Sequence, residues 1–260
     1  MRRADPSLSL FRERTFAVTS GVGFIVGFAL FGAVTFLPLY LQITKGSSPT
    51  RSGLELTPLM AGVLVTSIVS GNLITRWGRY KPFPIAGTAL MAVGLFLLSR
   101  LAVGTPTWEV LGSGVVLGLG LGMVMQVLVL AVQNAVDSRN MGVATSGSTL
   151  FRQIGGSIGV SIFGAIFASR LTAELASRLP AGANAPRATD PDATRSLPPS
   201  VWSVFEQAFA AALHPVFLTA AGVAVVAFAL AWLIPDLRLR DTLASVPAVP
   251  PGTEPEAGHA

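Results

Sequence analysis

The sequence predicts an all-α membrane protein with six transmembrane helices, and three observations carry that prediction. Six long apolar runs are almost free of charge. Apolar residues make up 51% of the chain and charged residues 12%, about half the ~25% of an average soluble domain. Cations concentrate in alternate short loops, as the positive-inside rule requires of a chain that crosses back and forth. Each run is near or above the ~20 residues with which a helix spans ~30 Å of hydrocarbon. An unpaired backbone amide costs several kcal/mol in lipid, so each run must be a helix that satisfies itself.

The elements follow in order. Residues 1–15 form a cytoplasmic N-terminal segment. The transmembrane domain covers 16–234, with spans at Phe16–Tyr40, Leu56–Ile74, Phe83–Leu101, Val110–Val132, Gly142–Ala168 and Pro215–Ile234. The first run is too long for a signal-peptide core of ~7–15 residues. Residues 170–199 read as an external disordered loop; from Leu179 on it is rich in Pro, Ala, Asp and Arg without apolar period. Apolar residues at Val201, Val204, Phe205, Ala208, Phe209 and Ala212 have helical spacing, which predicts a short interfacial helix before the last span. Residues 235–260, rich in Pro and Ala, read as a disordered cytoplasmic tail.

The loops set the orientation. Arg2, Arg3, Arg12, Arg14, Arg76, Arg79, Lys81, Arg139, Arg238 and Arg240 fall on one side, against Lys45, Arg51 and Arg100 in the short loops of the other. Both termini are then cytoplasmic and the protein is multi-pass in the cell membrane. Tyr40 and Trp108 at outer ends, and Trp77, Tyr80 and Trp232 at inner ends, read as interfacial anchors. The net charge of +5 therefore reflects orientation, and no nucleic-acid partner is expected. The chain has no cysteine and two histidines, His214 and His259. That excludes a thiolate site and makes an imidazole metal or haem site improbable, so neither a metal nor a cofactor is expected.

Small and polar residues inside the spans single out candidates. Gly114, Gly118 and Gly122 lie four apart on one face, Gly155, Gly156 and Gly159 cluster in the fifth span, and Gly23 and Gly27 repeat the spacing in the first. Such residues let helix backbones approach closely, for fixed packing or for faces that slide during a cycle. Arg152 lies ten residues into its span, ~15 Å deep at 1.5 Å per residue. A central Arg costs at least ~2.5–3.5 kcal/mol and so faces a watery cavity or a partner, unless it snorkels or bonds free carbonyls. No Asp or Glu lies within any run. Gln126, Gln133, Asn134, Gln153 and Asn72 either bond between helices or line a path; Gln126 and Gln133, seven apart, share a face. The G-x-S-x-G string around Ser157 lacks the strand and the base that a nucleophile elbow needs. Gly118, Gly120 and Gly122 lack the strand and lysine of a phosphate loop, so no enzyme activity is expected.

The connection Gly71-Asn-Leu-Ile-Thr-Arg76-Trp-Gly78-Arg79-Tyr-Lys81 resembles the G-x-L-x-D-R-x-G-R-R/K loop of the major facilitator superfamily. Phe36-Leu-Pro-Leu-Tyr-Leu-Gln42 and Phe151-Arg-Gln-Ile-Gly-Gly-Ser-Ile-Gly159 are similar to segments of its fourteen-helix drug:proton antiporters. The likeness covers about residues 5–240 and matches the C-terminal six-helix half. Thr75 stands where the family loop has Asp. The resemblance implies one half of a major-facilitator fold, built from two inverted three-helix repeats around a shared cavity. It also implies multidrug efflux, with an amphipathic small-molecule substrate and protons as the coupling ion. The other half would be an N-terminal half-transporter or a second copy of this chain. By analogy Arg76, Arg79 and Lys81 contact the other half or lipid headgroups. The leading expectation is an exporter half that is incomplete alone; the alternative is a non-transporting membrane subunit or scaffold assembled with another membrane protein.

Overall fold

The structure, a computed structural model, describes residues 14–135, 141–178 and 198–234. Most of the expected N-terminal segment, the expected loop beyond Arg178 and the expected tail lie outside the described residues, with Arg2, Arg3, Arg12, Arg139, Arg238 and Arg240. The helices are α1 (Arg14–Thr44), α2 (Pro49–Leu54), α3 (Thr57–Trp77), α4 (Pro82–Ser99), α5 (Thr107–Ala135), α6 (Met141–Arg178) and α7 (Pro199–Ala231). Six spans are long and apolar enough to cross a membrane, the second counted from α2 through α3. No strand occurs among the described residues. The chain is thus a multi-pass, all-helical membrane protein.

Local chemistry sets the short turns. Gly78 ends α3 in the left-handed region at φ 67°, donating its N–H to the Ile74 carbonyl at 2.8 Å, a conformation that a Cβ would strain. Pro82 then opens α4 at a position where a missing N–H is harmless. At the opposite end α2 is capped by Ser48, whose Oγ accepts from the Arg51 N–H. Ser47 Oγ donates to Glu55 at 2.9 Å and Gln42 Nε2 to Ser52 Oγ at 3.0 Å. Lys45 Nζ and Tyr40 Oη donate to the carbonyls of Val103 and Ala102, both at 2.7 Å. These bonds tie α1 to the α4–α5 connection. Tyr40→Phe removes one of them and is expected to lower stability by about 1 kcal/mol, read as a lower unfolding midpoint in detergent.

The structure corrects three expectations. Tyr40 and Tyr80 are fully buried, so neither anchors the bilayer surface, whereas Trp77, Trp108 and Trp232 are exposed. Residues 170–178, expected in a disordered loop, continue α6. Phe163, Phe167, Leu171 and Leu175 repeat every four residues and are buried, and Glu174 pairs with Arg178 at 2.8 Å; the apolar stripe carries the helix past the expected end at Ala168. The short interfacial helix and the last span are one helix, α7, with Pro215 inside it. Its buried Phe205, Ala208, Phe209 and Ala212 pass without a break into Val216 and Phe217, so packing overrides the proline's loss of one hydrogen bond.

The packing has a partial internal symmetry, broken where α6 also packs on α7 while α3 and α4 do not pack on each other to the same extent. α1 packs on α6 and α3 on α5; α4 packs on α5 and α7 on α1; α4 and α7 pack on each other. Exchanging the first three spans for the last three maps each of these pairs onto another or onto itself. Because each set has an odd number of crossings, the two three-helix units are inverted relative to one another. α3 and α6 are the least enclosed spans, with 28% and 33% of their apolar stretches buried against 39–56% for the others.

Candidate functional site

Two parallel helix pairs frame the open side of the bundle. Along α1 and α6, Phe24 meets Gly155, Phe28 meets Gly159, Gly32 meets Phe163 and Phe36 meets Phe167. Each step of four on α1 meets a step of four on α6, so the two helices run in the same direction. A Cβ at Gly155 would strike the Phe24 carbonyl, and one at Gly156 the Phe31 ring. Along α3 and α5, Leu59 meets Gly118 and Val63 meets Gly122, backbone against backbone in both cases, while Gly114 keeps ordinary contact with Leu59. Large helical residues would hold these backbones apart, so the sequence places glycine at these crossings.

Arg152 lies along the α1–α6 seam. Its backbone and Cγ lie against Gly27, and the residue is half-buried. The two ion pairs of the described residues are Arg51–Glu55 and Arg178–Glu174, so Arg152 joins neither. Ser20 and Thr145 share the register of the seam below it, and their buried hydroxyl oxygens have no hydrogen-bond partner among the described residues. Two unpaired hydroxyls and the backbone and Cγ of Arg152 thus fall along one seam.

The neighbouring positions divide. Gln153 is exposed on α6, next to Arg152 in sequence but turned to the open face. Gln126 is exposed on α5, with Gln133 half-buried on the same face; Asn134 is half-buried and bonded, and Asn72 is exposed on α3. At Gly23, α1 meets both Leu128 of α5 and Ser148 of α6, so the α5 and α6 candidates flank one helix. Ser157 and Ser161 were missed as site residues. They continue the exposed line of Gln153 at four-residue spacing, beside exposed Leu150, Ile154, Ile158 and Ile162. That spacing was visible in the sequence and is the mark of one helix face. Phe31 and Thr35 extend the open surface onto α1.

The α3–α4 connection stands apart from this surface. Gly71 and Gly78 are half-buried, Arg76 and Arg79 are exposed, and Lys81 is half-buried. Thr75 donates its hydroxyl to the Asn72 carbonyl at 2.8 Å. Its side chain is satisfied within its own helix.

Comparison with known proteins agrees with this geometry. The family described as the Major Facilitator Superfamily matches residues 3–181. An uncharacterized MFS-type transporter of Mycobacterium tuberculosis is 45% identical over 89% of this chain and 34% of its own length. A multidrug transporter protein, MdtP, of Bacillus subtilis is 38% identical over 62% of this chain and 30% of its own. A tetracycline resistance determinant of Streptomyces rimosus is 38% identical over 66% of this chain and 50% of its own. The chain spans between about a third and half the length of these curated relatives. With six spans, two inverted three-helix units and this family match over most of its length, the chain belongs to the major facilitator superfamily.

Proposed function

We propose that this chain is the C-terminal six-helix half of a fourteen-helix exporter of amphipathic small molecules, driven by exchange for protons. Both termini are then on the cytoplasmic side of the cell membrane, and the chain does not complete transport alone. The observation that carries the reading is the exposed Gln153–Ser157–Ser161 line on a span otherwise edged with Leu and Ile. An amide facing hydrocarbon is costly, so Gln153 in particular, with the serines continuing its line, belongs against a watery route shared with a second half. The names of relatives, a multidrug transporter and a tetracycline resistance determinant among them, support export as the direction. Ser157 has no catalytic part in this reading; its carbonyl accepts a hydrogen bond from Ser161 at 3.0 Å.

The test is dye efflux from proteoliposomes under an imposed proton gradient. The chain alone is expected to show none, and the chain joined to the N-terminal region of its mycobacterial relative is expected to show it. Proton-dependent export by the chain alone would overturn the claim of incompleteness. A second reading, a non-transporting membrane subunit, draws on two observations: Arg152 joins no ion pair among the described residues, and Thr75 stands at the position of the loop acid of the family. Stable co-purification with a different membrane protein, and no efflux from the joined form, would favour it.

A further inference from the structure

We propose that the groove between the start of α4 and the end of α7 binds one anionic phospholipid from the leaflet at that end of the bundle. The groove has a volume of about 430 Å³. Ile85, Ala86 and Ala89 form its α4 wall, Phe228 and Trp232 its α7 wall, and Arg79 and Lys81 stand at its mouth. Phe228 and Trp232 are one helical turn apart with rings edge to face at 6.3 Å between centroids. Trp232 is exposed, as tryptophan is at headgroup depth.

Charge decides the occupant. The four acids of the described residues, Glu55, Glu109, Glu174 and Glu206, all lie at the opposite, α2 end of the bundle. Two cavities at that end have cations with a counter-charge: Arg100 shares its cavity with Glu109, and Arg178 pairs with Glu174. The α4–α7 groove has two cations and no described carboxylate among its lining residues. Backbone donors do not substitute for them. Pro82 and Pro84 have no N–H, and the Phe83 N–H is used by the Tyr80 carbonyl at 3.2 Å. A phosphate is therefore held by side chains, and the apolar walls below take an acyl chain. Two basic side chains at a membrane surface strengthen binding of an anionic headgroup by about fivefold each. The inference depends on the chain being embedded in a bilayer and not on transport.

The test titrates the full chain, purified in neutral detergent, with dioleoylphosphatidylglycerol, dioleoylphosphatidylcholine and free glycerol phosphate, and reads binding by native mass spectrometry. Phosphatidylglycerol is expected to bind at least about tenfold more tightly than phosphatidylcholine, and glycerol phosphate not to be retained. Arg79→Gln with Lys81→Gln is expected to weaken phosphatidylglycerol roughly 30-fold. Arg100→Gln with Arg170→Gln, at the other end, leaves it unchanged. Ala86→Phe fills the groove with both cations present and weakens binding too, which keeps the proposal testable if the double variant misfolds. Equal binding of the two lipids, retention of glycerol phosphate as tight as the lipid, an equal loss in the Arg100 and Arg170 variant, or full binding by the Ala86→Phe variant overturns it. The cysteine-free chain allows a photo-cross-linker on Ala86→Cys. Capture of phosphatidylglycerol supports the site, and capture of this chain's own C-terminal segment or of a second copy overturns it.

Discussion

Gly155→Val and Gly118→Val are each expected to destabilise the bundle sharply, whereas Gly164→Val and Gly222→Val are expected to leave it close to the parent. At Gly155 and Gly118 the obstacle to a side chain is the carbonyl of the facing helix, Phe24 in one case and Leu59 in the other. A flexible neighbour could turn aside, but a helix backbone cannot, so α1 and α6 or α3 and α5 must separate. Overpacking of this kind costs about 1–3 kcal/mol. The upper end applies here, because separation also forfeits contacts along the whole seam. Gly164 and Gly222 have nothing within 4 Å of an added Cβ. Because all four variants carry the same change of residue, intrinsic helix propensity cancels. Unfolding in detergent against a denaturing surfactant separates them: a midpoint for Gly155→Val equal to that of Gly164→Val would show that the seam is not where the helices are held.

Arg152→Ala is expected to act with opposite signs on folding and on transport. Removing a mid-span arginine relieves an insertion penalty of roughly 2.5–3.5 kcal/mol, so yield and stability of the variant should equal or exceed those of the parent. Efflux by the chain joined to a first half is expected to fall at least about tenfold, the factor carried by 1.4 kcal/mol in a rate. Arg152→Lys keeps the charge and is expected to recover part of the rate. A purely structural arginine predicts the reverse pattern, with lost stability and unchanged efflux per folded molecule.

The spans were legible because the bilayer forces a simple code: enough consecutive apolar residues make a crossing helix, whatever surrounds it. Helix ends were less so. The reading stopped the fifth span before Arg170, yet that residue is exposed while Leu171 and Leu175 keep the buried stripe going to Arg178. Pro215 read as a start, yet the alanine- and phenylalanine-rich turns on both sides pack as one helix. Tyr40 and Tyr80 looked like interfacial anchors because sequence gives depth but not direction around the helix; both turn inward. The place of Arg152 against Gly27 was not legible, because that depends on the register of α1 on α6. The α4–α7 groove joins residues from Arg79 to Trp232, and no local pattern announces it.

The exposed flanks of α3 and α6, bearing Leu64, Ile68, Ile154 and Ile158, make this polypeptide's robustness depend on concentration wherever a molecule covers them. Any molecule that adheres to those flanks in the native form alone adds RT ln(1 + [L]/Kd) to the unfolding free energy, about 2.7 kcal/mol at a hundredfold excess over Kd. Melting curves taken after dilution into fresh micelles will therefore understate the endurance of the same helices crowded in a cell.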